Sequence, residues 1–485
     1  MTPRPHSKTL VLRCFRVASG FLFFFGILPG VALAANQSKP NVLIIIADQW
    51  RAQAFGFAGD PNVKTPHLDA FEHESIDCCH AISTVPVCSP TRATLLTGRH
   101  ALTHGVFLND VPLRPGSVTF AKVLKQAGYD TGYVGKWHLN GDGRSAFIPR
   151  DRRPDFDYWK VLECTHDYNN SHYYADTPEK LLWTGYDAIA QTRDIQDYLR
   201  RRPAMDRPFL LMLSWGPPHP NYFTAPEKYR ALYDPSKLTL RGNVPAPAAA
   251  ETRRDLAGYY AHCTALDDCL GDLMATLRDT GLEKKTIVIF TSDHGDMLGS
   301  HGLNNKQVPY DESIRIPLLY HLPPSFRVKP RRLEAVINSE DFMPTLLGLC
   351  GAPIPPAVEG LDYSGYLRGG RHPSDNAALI ACPAPFGEWN RAQGGREYRG
   401  IRTSRFTYVR DLNGPWLLFD NAVDPLQMTN LVELQSKSAE DLRLEMDGHL
   451  RQKLAQAHDE FLPAAAYITR WGYTVDKTGT APYQP

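Results

Sequence analysis

Several features are scarce in this chain, and each absence excludes a class of function. Its 485 residues carry a formal net charge of only +1, so no global field draws it to nucleic acid or to an anionic membrane. The basic clusters, Arg150-Asp151-Arg152-Arg153 and Arg200-Arg201-Arg202, are short and read as solvated faces or local substrate contacts. No zinc-type spacing occurs among its nine cysteines. There is no internal repeat, and low complexity is confined to the Pro/Ala linker from Val244 to Ala250. What remains is an ordinary globular composition, 43% apolar and 22% charged, in a chain long enough for one large domain with a smaller partner.

The N-terminus departs from that composition. Arg4, Lys8, Arg13 and Arg16 precede an apolar run from Val17 to Leu33 that ends in small residues, Val31-Ala32-Leu33-Ala34-Ala35. A charged region, an apolar region and a small-residue cleavage site mark residues 1–34 as a signal peptide. Gly20, Gly26, Pro29 and Gly30 interrupt the run, which is shorter than the roughly 20 residues a spanning helix needs. The mature chain is therefore expected in the periplasm or outside the cell, with no stable membrane span. Export permits disulfides. Cys14 leaves with the leader, and the other eight are Cys78, Cys79, Cys88, Cys164, Cys263, Cys269, Cys350 and Cys382; no connectivity follows from their spacing.

Asn41 to Ala47 is a continuous apolar run without alternation, as in a strand of a parallel sheet buried on both faces. Further strands are expected at Tyr129 to Gly135, Pro208 to Trp215, Thr286 to Thr291, Pro317 to His321 and Leu333 to Ile337. Helices are expected around Leu68 to Ser75, and from Val118 to Ala127, Asp187 to Arg201, Arg253 to Thr280 and Asp341 to Gly348. This alternation predicts an α/β domain with a mainly parallel sheet flanked by helices, over 35–376. Residues Arg150 to Tyr186, rich in Tyr, Trp, His and Asp, read as a long irregular insertion whose aromatics suit either loop packing or a sugar-binding face. From 377 to 485 the pattern becomes that of a smaller α+β subdomain. Tyr398 to Leu412, a turn at Asn413-Gly414 and Trp416 to Phe419 form an antiparallel hairpin, followed by a polar helix from Ser438 to Phe461.

One stretch stands apart: Val-Pro-Val-Cys-Ser-Pro-Thr-Arg, ending at Arg92. Pro90 suits a first helical turn, Ala93 to Thr97 reads as helix and Gly98 as its stop. A cysteine at a helix start beside Arg92 sits in a positive field that favours anions and lowers a thiol pKa. A buried, inert cysteine fits the stretch equally well. Elsewhere, four strands end in reactive side chains: Asp48 with Gln49, Lys136 with His138, His219, and Asp293 with His294. Ligands of open parallel sheets bind at the carboxyl ends of strands. Asp48, Gln49, Asp293 and His294 are hard ligands suited to calcium or magnesium. Arg92, Lys136 and Lys306 supply charge for a tetrahedral oxyanion, and His138 and His219 supply acid and base. This inventory suits sulfuryl or phosphoryl transfer.

Cys88-Ser89-Pro90-Thr91-Arg92, continuing through Leu95-Leu96-Thr97-Gly98-Arg99, resembles the Cys-x-Pro-x-Arg signature of the type I, formylglycine-dependent sulfatases. Ala47-Asp48-Gln49, Gly135-Lys136-Trp137-His138, Pro218-His219-Pro220, Ser292-Asp293-His294-Gly295-Asp296 with Lys306, and Leu418-Phe419-Asp420 with Asp424-Pro425 and Asn430-Leu431 add to the likeness, in order along nearly the whole mature chain. The resemblance implies an alkaline-phosphatase-like fold and a sulfatase acting on an organic sulfate monoester, with secretion and the aromatic insertion pointing to a carbohydrate. It implies that a maturation enzyme converts Cys88 to formylglycine, whose hydrate is the nucleophile. It places calcium, in preference to magnesium, on Asp48, Gln49, Asp293, His294 and the modified Cys88. Arg92 would orient the hydrate, and Lys136, His219 and Lys306 would contact sulfate, with His219 or Lys306 protonating the leaving alcohol. His138 would be the base that releases the product. Gln49 and His294 depart from the aspartate and asparagine of many members but remain ligating groups. A phosphonate monoester or phosphodiester hydrolase of the same superfamily, and a binding protein that retains the fold without catalysis, are the alternatives.

Overall fold

The computed structural model describes residues 39–482, and the expected leader, 1–34, lies outside the described residues. Asn41–Asp48 is a strand buried along its whole length, as its unbroken apolar run requires. Successive side chains of a strand point to opposite faces. Val42, Ile44 and Ile46 therefore enter one core with Leu95 and Leu96. Leu43, Ile45 and Ala47 enter another with Leu266, Leu270 and Leu273 of the long helix Ala249–Asp279. Each such buried Leu or Ile is worth about 1.5–3 kcal/mol.

From edge to edge, the main strands of the large sheet are Arg331–Asn338, Ile76–Ile82, Leu318–His321, Thr286–Ser292, Asn41–Asp48, Phe209–Pro218, Asp130–Lys136 and Tyr158–Leu162. Leu318–His321 is antiparallel to both its neighbours, and the two-residue strand Arg315–Ile316 is antiparallel to Ile76–Ile82. The other pairings are parallel. The sheet is thus mainly parallel and flanked by helices, as expected.

Two strands depart from the sequence reading. Ile76–Ile82 (Ile-Asp-Cys-Cys-His-Ala-Ile) is a strand although Asp77 and His80 interrupt its apolar pattern. Tyr158–Leu162 lies inside the stretch expected to be irregular and pairs in parallel with Asp130–Lys136 at the sheet edge. The rest of that stretch carries the short pairing His172–Tyr173 with Leu181–Leu182, a bridge from Tyr174 to Val161 and a single helical turn at Arg150–Arg152.

The second sheet is an antiparallel meander of Ala377–Cys382, Tyr398–Thr403, Phe406–Asp411 and Gly414–Asp420. The expected single strand from Tyr398 to Leu412 is two strands, broken at Ser404-Arg405. Asp411 faces Gly414, so the tight turn is Leu412-Asn413, one residue earlier than Asn413-Gly414. One face, with Ala378, Ile380, Tyr398 and Val409, packs on Ile82, Met297 and Ile314 of the first sheet and its loops. The other carries Leu379, Ile401 and Leu418 against Met446 and Leu450 of Lys437–Gln456, a helix that stops short of the expected Phe461. The two sheets are also joined by a buried ion pair in which Arg402 donates to both oxygens of Asp311, each at 2.9 Å. Among the described residues no helix is long and apolar enough to cross a membrane.

Candidate active site

Four of the strands named for reactive ends, Thr286–Ser292, Asn41–Asp48, Phe209–Pro218 and Asp130–Lys136, are consecutive neighbours and mutually parallel. Their carboxyl ends consequently open on one edge, where Asp48, Lys136, His219 and Asp293 are brought together. The chain turns sharply there: Gln49 and His138 adopt positive φ of 70° and 59°, a conformation rare outside glycine that functional sites often hold under strain. Gly135, at φ 105°, has no room for a side chain, since a Cβ would lie 2.0 Å from the Ser214 carbonyl oxygen.

Cys88 begins the helix Cys88–Thr97, with Pro90 in its first turn as expected, and Gly98 ends it in the left-handed conformation. Asn109 Oδ1 accepts from the Ser89 amide at 3.0 Å, meeting one of the orphan donors at the helix start. The Cys88 Sγ lies 3.2 Å from His294 Nε2, 3.6 Å from Asp48 Oδ1 and 3.8 Å from Lys136 Nζ. The expected low thiol pKa does not follow: burial pushes this thiol up, and Asp48 adds to that, outweighing Lys136 and Lys306. Neither an inert core cysteine nor a thiolate describes it, because a protonated thiol here is surrounded by ionised groups.

Cys88, Asp48, Asp293 and His294 are all buried, and one ligand atom from each falls within 4.8 Å of the others. This is a donor set suited to a divalent cation. Gln49, expected among the ligands, is otherwise engaged: its Nε2 donates to Asp296 at 2.7 Å and its Oε1 accepts from Lys306 at 2.7 Å. Its backbone N–H reaches Asp293 Oδ1 at 3.0 Å. Arg92 sends its N–H groups to Asp293, Asp48, the Lys136 carbonyl and Ser214 Oγ, at 2.7 to 3.2 Å. It braces the two carboxylates, and its contacts leave no donor aimed at Cys88. Burial pushes the Asp48 carboxyl up, but the charges of Lys136, at 2.5 Å, and Arg92 hold it well below the usual carboxylate range.

Two histidines flank this centre. His219 Nε2 lies 3.0 Å from Lys306 Nζ, its Nδ1 lies 2.8 Å from the Pro220 carbonyl, and burial with the Lys306 charge keeps it neutral. Tyr168, from the aromatic insertion, is buried and donates to the His219 carbonyl at 3.0 Å. His138 Nε2 lies 2.9 Å from Asp110 Oδ1, while its buried Nδ1 has no partner. Burial lowers His138 to about 4, against the opposing pull of Asp110. Glu388 pairs with Lys306 at 3.2 Å. Asp110 was not legible as a site residue, a single acid in a loop with no motif around it, and Asp296 was legible only as the end of the Ser292-Asp293-His294-Gly295-Asp296 stretch, without a role. Arg51 is buried beside Tyr259 and Tyr260. A cavity of about 440 Å³ bordered by His100, Glu340, Asp375 and Lys453 contains none of these groups.

The comparisons agree with this geometry. The model of the family described as "Sulfatase" matches residues 40–352, and that of the N-sulphoglucosamine sulphohydrolase C-terminal region matches 299–457. The chain belongs to the sulfatase family. It is 44% identical over 455 residues to an ulvan-active sulfatase of Formosa agariphila, covering 92% of this chain and 88% of that one. It is 30% identical to an endo-4-O-sulfatase of Bacteroides thetaiotaomicron, covering 87% and 93%. The crystal structure of the yidJ protein of Bacteroides fragilis superposes with a TM-score of 0.79 at 30% identity, covering 90% and 100%. The chain is therefore a sulfuric ester hydrolase with the alkaline-phosphatase-like fold, and the non-catalytic alternative is set aside.

Proposed function

We propose that this sulfatase is an exported hydrolase of carbohydrate sulfate monoesters that works through a formylglycine made from Cys88. The observation that carries the proposal is the convergence of Cys88, Asp48, Asp293 and His294 on one buried point, within reach of Lys136. The saccharide preference is supported by the ulvan-active relative, and export by the leader-like N-terminus.

A divalent cation, calcium before magnesium, would be held by Asp48, Asp293, His294 and the side-chain oxygen of the modified Cys88, and it supplies charge against the sulfuryl oxygens. Formylglycine, as its hydrate, would supply a hydroxyl nucleophile and a second hydroxyl whose loss of a proton lets sulfate depart with the first oxygen as the aldehyde reforms. Gln49 would join the metal only by exchanging its bond to Lys306. Arg92 fixes Asp48 and Asp293, and through them the position of any ligand between. Lys136, charged because Asp48 more than offsets its burial, and Lys306 bind the sulfuryl oxygens. The Lys306–His219 pair holds the proton for the leaving alcohol, with Lys306 as its source. A carboxylate only accepts hydrogen bonds, so Asp110 requires the hydrogen of His138 on Nε2. The lone pair left on Nδ1 makes His138 the base of the release step.

Comparing rates on nitrophenyl sulfate and on a phosphonate monoester tests the reaction class. A clear sulfate preference is expected; a phosphonate preference would replace this reading with the phosphonate monoester hydrolase.

A further inference from the structure

Lys306 presents a counting problem. An ammonium has three N–H donors and no acceptor, and three partners already surround this one. Gln49 Oε1 lies at 2.7 Å and His219 Nε2 at 3.0 Å. The carboxylate of Glu388 meets the remaining charge at 3.2 Å. A sulfuryl oxygen reaches Lys306 only when one of the three gives way.

The three are not equally held. Gln49 is buried and tied by its amide nitrogen to Asp296. His219 is buried, with Nδ1 against the Pro220 carbonyl and its ring stacked on His166 at 4.5 Å. Glu388 stands on the single turn Gly387–Trp389, between the first two strands of the meander. Its side chain is 42% exposed, and Lys306 is its only ion-pair or hydrogen-bond partner among the described residues. An exposed side chain with one partner yields before two buried ones.

We infer that Glu388 is the exchangeable ligand of Lys306 and a specificity-determining residue for the flanking part of the substrate. The inference rests on the sulfatase reading above. Bound sulfate takes the place of the Glu388 carboxylate at Lys306. The displaced carboxylate remains at the rim of the site as an acceptor that cannot donate. It receives a hydroxyl next to the sulfated carbon and repels a second anion placed there. The favoured class is thus a polyhydroxylated sulfate ester whose neighbour on the Lys306 side is neutral, over an aryl sulfate without hydroxyls.

The test uses the intact matured protein with Glu388→Ala and Glu388→Gln. Inorganic sulfate is titrated by calorimetry, and rates are measured on nitrophenyl sulfate and on a panel of monosulfated methyl glycosides. Removing a half-exposed competitor from a buried lysine should tighten sulfate by about fivefold in Glu388→Ala, with Glu388→Gln between it and the wild type. KM for the aryl sulfate should fall with kcat little changed, while kcat/KM for the glycosides that the wild type cleaves best should fall by about fivefold or more. Unchanged sulfate affinity in both variants, or parallel changes on the two substrate classes, would overturn the assignment. Wild-type protein that hydrolyses no sulfate ester would sink the sulfatase mechanism instead, and the sulfate titration would still decide the role of Glu388.

Discussion

Asp110 holds His138 from behind: its Oδ1 lies 2.9 Å from His138 Nε2, and its other oxygen accepts from Arg144 at 3.3 Å. Burial raises the Asp110 carboxyl, but the hydrogen bond from His138, and then the charge and hydrogen bond of Arg144, lower it overall. The acid is therefore ionised at neutral pH and selects the tautomer with a free Nδ1. Asp110→Asn should lower kcat by about 10²-fold or more while KM changes little, as expected when a general base loses its orientation. Because Asp110 raises the His138 pKa, the variant's acid limb should move to lower pH. A pH–rate profile for both proteins checks this, and an unmoved limb with unchanged kcat would remove His138 from the proposed role.

Calcium should stabilise the folded enzyme in a saturable way. At a concentration a hundredfold above its Kd, one bound ion adds about 2.7 kcal/mol, read as a rise in Tm. Asp293→Ala should lose that rise together with activity, because Asp293 also anchors Arg92. A Tm that ignores both calcium and chelator would count against the metal.

The join between the sheets predicts acid sensitivity. Burial raises Asp311, but Arg402 outweighs it, so its folded pKa lies far below the ordinary carboxylate value. In the unfolded chain it returns to about 3.9. The unfolded state therefore binds the proton first. The pair's contribution is present in full above that value and is lost as pH falls toward the folded pKa. Asp311→Asn should cost about 3–5 kcal/mol at pH 7 by leaving Arg402 buried without a counter-charge. Urea unfolding at pH 7 and in acid should show the variant's deficit shrinking as the wild type protonates.

Gly135→Ala should separate positioning from chemistry. The new methyl would meet the Ser214 carbonyl, and the strand end that carries Lys136 must shift. A loss of about 1–3 kcal/mol in stability, with a larger relative loss of kcat/KM, is the expected pattern in thermal unfolding and steady-state rates. Wild-type behaviour in both would show the strand to be more pliant than its packing implies.

Much of this was legible in the chain. The apolar run of Asn41–Asp48 announces a strand buried on both faces, and side chains set just after such runs converge because parallel strands share an edge. Ile76–Ile82 escaped because Asp77 and His80 break its pattern, and its strand conformation comes from its neighbours in the sheet. Tyr158–Leu162 escaped because an edge strand of five residues amid aromatic loops has no clear period. Asp110 and Asp296 act on His138 and Gln49 across 28 and 247 residues of chain. No local spacing announces such partners. The Arg92 side chain was visible but its contacts were not, since only the fold shows its donors spent on Asp48, Asp293, the Lys136 carbonyl and Ser214.

The nucleophile is the central claim, and the mass of the proteolytic peptide that carries Cys88 tests it most directly. Active enzyme should yield a peptide lighter by the exchange of one sulfur for one oxygen and the loss of two hydrogens, the conversion of a thiol to an aldehyde. Fully active enzyme whose Cys88 peptide retains the mass of an unmodified cysteine would contradict the account.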